Sequence, residues 1–586
     1  MIKIMKYLSK KEWALMLVSL VFLIAQVGLD LTIPDYMSKI TMALQSADSA
    51  MGDIYQYGGM MILLAFLSLF ASIITALCAT RIATGLAAEL RELLFKKVQS
   101  FSMVELGQFS IPSLITRSTN DITQVQKVIV LGLQLMVKAP IMATWAILKI
   151  YDKNFDWTLS TGIAVVVLLV VVFGLVLACM PKFKKIQRLT DDLNRVTMEN
   201  LSGLHVVRAY NAENYQESKF EQTNEAVTQT NLFTTRTMSF MMPTIQFVMN
   251  TLVLSIYWLG ATLINNTSNL QGKAGLFSDM LVFSQYAIQV VMAFMLLVMI
   301  FVVLPRASVA AGRINEVLET ELSIKDGEAT EGLPDVYGEV EFRNVSFKYP
   351  DAEECVLRNI SFTAHKGETV AFIGSTGSGK STIINMIPRF YEATVGEVLV
   401  DGVNVKDYKQ KALRNKMSYI SQKSVLFSGD IQSNILYGET SKVPNFENLL
   451  ASAIETAQAS DFINSMEEGY HSEVAQGGEN FSGGQKQRIS IARGIAKNPE
   501  ILIFDDSFSA LDYRTDRELR KALDENCKDA TRLVVAQRIG TIRDADKIIV
   551  VKDGEMVGMG KHHELMENCE EYQQIALSQL SKEELA

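Results

Sequence analysis

Six long apolar stretches recur through the first 305 residues, and they constrain the fold more than any other feature of the chain. Trp13–Leu29 carries no charge, and Gly58–Thr80, 128–148, Trp157–Met180, Met241–Ile264 and Met280–Pro305 follow it. A helix of about 20 apolar residues crosses about 30 Å of hydrocarbon. The pattern therefore predicts six membrane spans. Only the third is interrupted, by Lys138 with Pro140 close behind. A basic side chain inside a span needs a partner or a function, and an acid such as Asp30 could pair with Lys138. The first run follows Lys3, Lys6, Lys10 and Lys11, as the core of a signal peptide would. Its length, the lack of a small-residue cleavage site and the five later spans predict a retained helix instead.

Charge divides the chain in the same place. Residues 1–320 hold 25 Lys and Arg against 21 Asp and Glu; residues 321–586 hold 30 against 43. An acidic second half excludes a nucleic-acid binder, because neutralising phosphates takes clustered Lys and Arg. Basic residues crowd the N-terminus, 81–127 and 182–236, whereas 41–57 and 265–279 share only Lys273. The positive-inside rule then predicts a multi-pass protein of the cell membrane with both termini in the cytoplasm. The inner loops 81–127 and 181–240 are long and polar, and read as helices that continue the spans into the cytoplasm. On the last span, Gln285, Gln289, Met292 and Met299 share one helical face, which suits either a substrate path or plain packing. The five cysteines are scattered with no CxxC, which predicts free thiols.

Thr320–Tyr337 is polar and acidic and reads as a linker. Strand and turn patterns follow. Gly374-Ser375-Thr376-Gly377-Ser378-Gly379-Lys380-Ser381-Thr382 comes after the apolar strand Thr369–Ile373 and opens a helix. This is GxxxxGK[ST] in its strand–loop–helix context. Glycines there let backbone N–H groups curl around phosphate oxygens. Lys380 is expected at the β- and γ-phosphates of ATP, and Ser381 on Mg²⁺. Further on, Ile501-Leu-Ile-Phe504 forms a buried strand ending in Asp505, a carboxylate placed to hold Mg²⁺ as a Walker B residue.

Between these two signals lies Asn480-Phe-Ser482-Gly483-Gly484-Gln485-Lys-Gln-Arg488. It closely resembles the signature motif of ATP-binding cassette (ABC) proteins. With six spans before one cassette, the chain resembles an ABC exporter half-transporter over essentially its whole length. The resemblance implies an α-helical transmembrane domain of six spans with long cytoplasmic extensions at 1–319. It implies a linker at 320–337 and an α/β P-loop nucleotide-binding domain with a helical subdomain at 338–586. It places coupling helices near Ile111–Thr119 and Ala209–Tyr215. Tyr349 resembles the aromatic that stacks on adenine. Gln422 resembles the Q-loop glutamine at Mg²⁺, and Ser509-Ala-Leu-Asp512 the D-loop. The metal set implied is Ser381, Gln422 and Asp505.

Two positions depart from that family's pattern. Asp506 stands where a Glu activates the attacking water, and Gln537 stands where a His contacts the γ-phosphate. Asp is one methylene shorter than Glu, and Gln can neither carry a charge nor pass a proton. In the family, cassettes pair head to tail, and each ATP lies between the Walker motifs of one and the signature of the other. The resemblance therefore implies the degenerate half of a heterodimeric, multidrug-type exporter. Its own Walker site binds ATP but hydrolyses it poorly, and Ser482, Gly483, Gly484 and Gln485 complete the site of a different partner half-transporter. A slow homodimeric pump and an ATP-gated regulator or channel are the alternatives. The expected partners are that second half-transporter, the lipid bilayer and a small amphipathic or apolar substrate, with no nucleic acid.

Overall fold

The computed structural model describes residues 3–45, 51–151, 154–438 and 446–580. The chain divides into two units, one of Met1–Gln99 with Ser110–Thr320, the other of Ser100–Phe109 with Glu321–Ala586.

The first unit is helical. Among the described residues six segments are long and apolar enough to cross a membrane: Lys10–Leu44, Met51–Gln99, Ile111–Tyr151, Phe155–Ser202, Glu213–Asn266 and Gly272–Leu297. Large apolar side chains such as Phe66, Phe70, Val170 and Trp258 are exposed along them, as hydrocarbon-facing residues are. The interior gathers Leu23, Leu31, Met142, Trp157, Phe283 and Tyr286. Small residues let helices approach. A Cβ on Gly260 would lie 2.4 Å from Met280 Sδ and 3.4 Å from the Trp157 ring.

The third span breaks where its sequence suggests, but as π-helix. Gly132–Met136 is a π segment, followed by the helix Lys138–Tyr151. A second π segment, Arg117–Asp121, lies nearer its start. Lys138 Nζ is 3.5 Å from Asp30 Oδ2, so the expected pairing forms. On the last span Gln285 and Met292 are exposed and Gln289 is half-buried. The Met299 side chain lies outside the described residues. The five cysteines are unpaired.

Met103–Gln108 and Ile111–Thr116 are two six-residue helices, the second at the start of the segment where one coupling helix is expected. Ala209–Tyr215 spans the end of the helix Leu204–Ala209, the turn 210–212 and the start of the helix Glu213–Ser239. A capping box explains the first: Ser102 N donates to Glu105 Oε2 at 2.7 Å, and Ser102 Oγ accepts from Val104 N. Glu105 is 2% exposed, and its Oε1 accepts from Ser323 N at 2.7 Å. The same carboxylate thus ties the short helix to the chain entering the rest of the second unit.

That unit is built on strands β1 (Val340–Phe347), β2 (Leu357–Ala364), β3 (Thr369–Ile373), β4 (Val395–Val400), β5 (Val403–Asn404), β6 (Met417–Ile420), β7 (Gly429–Asp430), β8 (Glu473–Val474), β9 (Ile501–Asp505), β10 (Thr531–Val535), β11 (Lys547–Lys552) and β12 (Glu555–Gly560). One sheet is antiparallel, ordered β2-β1-β4-β5; another is ordered β12-β11-β3-β10-β9-β6 and is parallel apart from β12; β7 and β8 form a short pair. Every residue of β9 is buried, as expected for a strand covered on both faces. The helices Ile431–Ile435, Phe446–Thr456 and Gly483–Ala496 pack together beside this sheet. Segment 320–337 lies along the antiparallel sheet. Buried Arg389 donates to Lys325 O at 2.8 Å, and Leu333 N donates to Asp401 O at 2.9 Å.

Burial pushes the Glu105 carboxyl up, but hydrogen bonds from Ser102 and Ser323 outweigh it and hold the pKa at about 2. A folded pKa below the ordinary 4.5 gives stabilisation that is complete above the unfolded value and lost as pH falls towards 2. Glu105→Gln removes one acceptor oxygen and is expected to cost about 1–3 kcal/mol locally. Hydrogen-exchange protection at the Ser102 and Ser323 amides, corrected for the intrinsic rate at each pH, reads this: lower at pH 7 in the variant, and falling in the parent chain only as pH drops below 4.5 towards 2.

Candidate functional site

Four neighbouring parallel strands, β6-β9-β10-β3, end at one edge of the central sheet. In open α/β sheets ligands bind outside the carboxyl ends of the strands. Register brings Ile420 beside Phe504, Val535 beside Asp505, and Val535 beside Phe372. The residues just past those ends are Gln422, Asp506, Gln537 and Gly374. Four segments far apart in sequence thus deliver the expected site residues to one place.

The loop after β3 is shaped by glycines. Gly377 and Gly379 have φ of 86° and 99°, and a Cβ on Gly379 would lie 2.6 Å from Leu357 Cδ2. Ser375, Thr376 and Gly377 are exposed, whereas Ser378, Lys380 and Thr382 are buried. Lys380 Nζ folds over the loop, donating to Gly374 O at 2.9 Å, Ser375 O at 2.7 Å and Ser378 Oγ at 3.4 Å. Burial pushes the ammonium pKa down, against the pull of Asp506 and Asp505. A cation held by exposed loop carbonyls within a glycine-shaped cradle suits a phosphate chain.

The helix Lys380–Met386 brings Ser381 to β9, where its Oγ donates to Asp505 Oδ1 at 2.6 Å. The other Asp505 oxygen accepts from Tyr419 Oη at 2.8 Å. Burial, then the Asp505 charge, pushes the Tyr419 phenol pKa up, so it stays a donor. A hydroxyl and a carboxylate at 2.6 Å, with Gln422 at the rim, are the hard oxygen donors that Mg²⁺ takes alongside phosphates. The residues present therefore fit a magnesium nucleotide.

Asp506 is the most constrained member. Its φ is 49°, its N–H donates to Val535 O at 3.0 Å, and its side chain is buried. Gln422 Nε2 and Gln537 Nε2 both donate to its Oδ2, at 2.9 and 2.7 Å. Burial raises the Asp506 pKa, and the negative Asp505 adds to this, while the Gln422, Gln537 and Ser509 hydrogen bonds oppose it. Ser509 Oγ donates to Asp506 O at 2.8 Å, and Arg538 donates to Ser509 O and Leu511 O, so the turn after β9 is held as well.

Tyr349 packs edge-on against Phe347 and Tyr391, and its Oη lies 3.1 Å from Thr382 Oγ1. It borders the phosphate loop. Ser482, Gly483, Gly484 and Gln485 form a separate group. Ser482 caps the helix Gly483–Ala496 in a capping box with Gln485, and Ser482 and Gly483 are exposed. Among the described residues no hydrogen bond joins this group to the loop after β3.

Tyr419 belongs to none of the motifs read from the sequence. Its hydrogen bond to Asp505 depends on β6 lying beside β9, which no local pattern reveals. The same adjacency produces the shared oxygen of Asp506.

Comparison with known proteins places this geometry. The ABC transporter transmembrane region matches residues 16–294, and the ABC transporter family proper matches 357–509. An uncharacterized ABC transporter ATP-binding protein of Mycobacterium tuberculosis is 35% identical over 93% of this chain and 93% of its own length. One from Bacillus subtilis is 32% identical over 97% and 96%. The ATP-dependent lipid A-core flippase of Pseudomonas aeruginosa is 31% identical over 83% of this chain and 79% of its own. A bacterial Atm1-family ABC exporter solved with ATP bound shares the fold, with a TM-score of 0.80, 22% identity, and coverage of 95% of this chain and 97% of that one. The chain, a multi-pass membrane protein with one cassette, belongs to the ABC transporter family.

Proposed function

We propose that the chain is the ATPase-impaired half of a heterodimeric ABC exporter, with both termini and the cassette in the cytoplasm. The observation that carries this reading is the double tether on Asp506 Oδ2. A general base needs a free lone pair aimed at water, and such catalysis contributes about 10²–10⁴-fold. Here one carboxylate oxygen already accepts two amide hydrogens. Gln537, the nearer donor, can neither take nor return a proton. ATP is bound through Lys380, Ser381, Thr382 and the loop backbone, with Tyr349 against the adenine. Ser381, Asp505 and Gln422 would hold Mg²⁺, which would supply neutralisation of phosphate charge.

The exposed signature group then serves a different chain. Ser482, Gly483 and Gly484 close over ATP held by the partner, which brings its own Glu and His. ATP binding draws the cassettes together and turns the membrane cavity outward; hydrolysis at the composite site resets it. Relatives named as lipid A-core flippases support an amphipathic substrate. So does a membrane region rich in Met and Phe, which adapt to many shapes.

Restoring the chemistry tests the reading. Asp506→Glu with Gln537→His is expected to raise steady-state turnover by the chain alone by at least about tenfold, within the range of general-base effects. No gain, with nucleotide binding intact, would count against a blocked base. The composite site is tested in the native complex. Ser482→Arg or Gly483→Asp is expected to abolish turnover, whereas Lys380→Ala weakens binding at this chain's site and leaves residual turnover. Full activity in the signature variants would sink the asymmetric assignment.

A further inference from the structure

The first span carries two aspartates, Asp30 and Asp35, and each meets a lysine of the third span. Asp35 is closed. Its Oδ2 accepts from Lys149 Nζ at 2.6 Å and its Oδ1 from Tyr286 Oη at 2.6 Å. Asp30 is arranged otherwise. Its Oδ1 accepts from Ser68 Oγ at 2.5 Å, while Lys138 Nζ stands off at 3.5 Å. The carboxylate thus has a close donor of its own, and the lysine, with three N–H groups, has one long ionic contact among the described residues. Lys138 sits at the centre of 128–148, which holds no other charged residue, directly after the π segment Gly132–Met136. π turns are frequent at functional sites, and an ionisable residue inside a span is a functional candidate.

A second observation points to the same level. Among the described residues, Gln289 Oε1 is buried without a hydrogen-bond partner. Tyr286, three residues earlier, donates to Leu31 O at 3.0 Å, beside Asp30. The last span runs opposite to the first, so three residues carry it about 4.5 Å back, towards the level of Gly28 and within a helical turn of Asp30. An unsatisfied amide oxygen and a loosely held ammonium therefore lie within about one helical turn of each other's level in the membrane region.

We propose that Lys138 is a substrate-reading ammonium, taking the anionic head of an amphipathic substrate in exchange for its long contact with Asp30. Gln289 supplies a polar contact to that head, and Asp35–Lys149–Tyr286 is the fixed lock beside it. The inference rests on the exporter reading and narrows its substrate class to anionic amphiphiles.

The test uses the full chain in phosphatidylcholine nanodiscs. Two probes share one pyrene-labelled alkyl body, one ending in a carboxylate and the other in trimethylammonium. Energy transfer from the chain's tryptophans, corrected with empty nanodiscs, reads binding. Lys138→Gln is expected to weaken the carboxylate probe by about tenfold or more, the scale of one hydrogen bond to a charged group, without moving the trimethylammonium probe. Lys138→Arg keeps carboxylate binding within about threefold. Asp30→Asn keeps it too, since Ser68 and Lys138 remain. Equal changes for both probes in Lys138→Gln, or equal loss in Asp30→Asn, would overturn the proposal and leave a structural ion pair. Intact charge selectivity without ATP-driven flux of either probe would keep this site and remove the exporter reading.

Discussion

Two amide groups converge on one buried oxygen, Asp506 Oδ2, and the functional account depends on that contact. It exists because β6, β9 and β10 lie side by side, so Gln422, Asp506 and Gln537 leave the sheet at the same edge. The chain keeps what binding needs there: a glycine-shaped loop, a folded-over lysine, and a hydroxyl on a carboxylate. On the proposed reading the base is what is compromised, since one Asp506 oxygen already accepts two amide hydrogens. Binding and chemistry would then be separable because they would draw on different atoms of one edge, Asp505 for the metal and Asp506 for water.

The same local economy appears at Glu105. One nearly inaccessible carboxylate starts a two-turn helix and fixes Ser323 as well. Such a group is stable only when ionised and fully hydrogen-bonded, so helix and incoming chain are held together or not at all. In the membrane region the polar contacts follow another rule. Hydrocarbon offers no hydrogen bonds, and Asp35, Lys149 and Tyr286 satisfy one another closely. The looser Asp30–Lys138 contact stands out against that background.

Much of this was legible in the residues. Apolar runs are set by the thickness of hydrocarbon, and all six appear as helices. The phosphate loop and the buried strand before Asp505 are local patterns, with strand, loop and helix consecutive. Lys138 announced its need for a partner. What was not legible is set by tertiary adjacency. Gln422 and Asp506 are 84 residues apart and Gln537 a further 31, and nothing in the one-dimensional string says that they share an oxygen. Tyr419 was invisible for the same reason. The short helix Met103–Gln108 is a different case, since Ser102-Met-Val-Glu105 is a capping box legible in the sequence.

The central claim is that this chain binds ATP without turning it over unaided. Steady-state ATP hydrolysis by the purified chain alone in lipid, with nucleotide binding measured on the same sample, tests it most directly. The account predicts saturable binding with turnover at background. Turnover of about one per second or more, the range of working enzymes, would mean that the tethered Asp506 suffices, and the chain would then be a self-sufficient homodimeric pump.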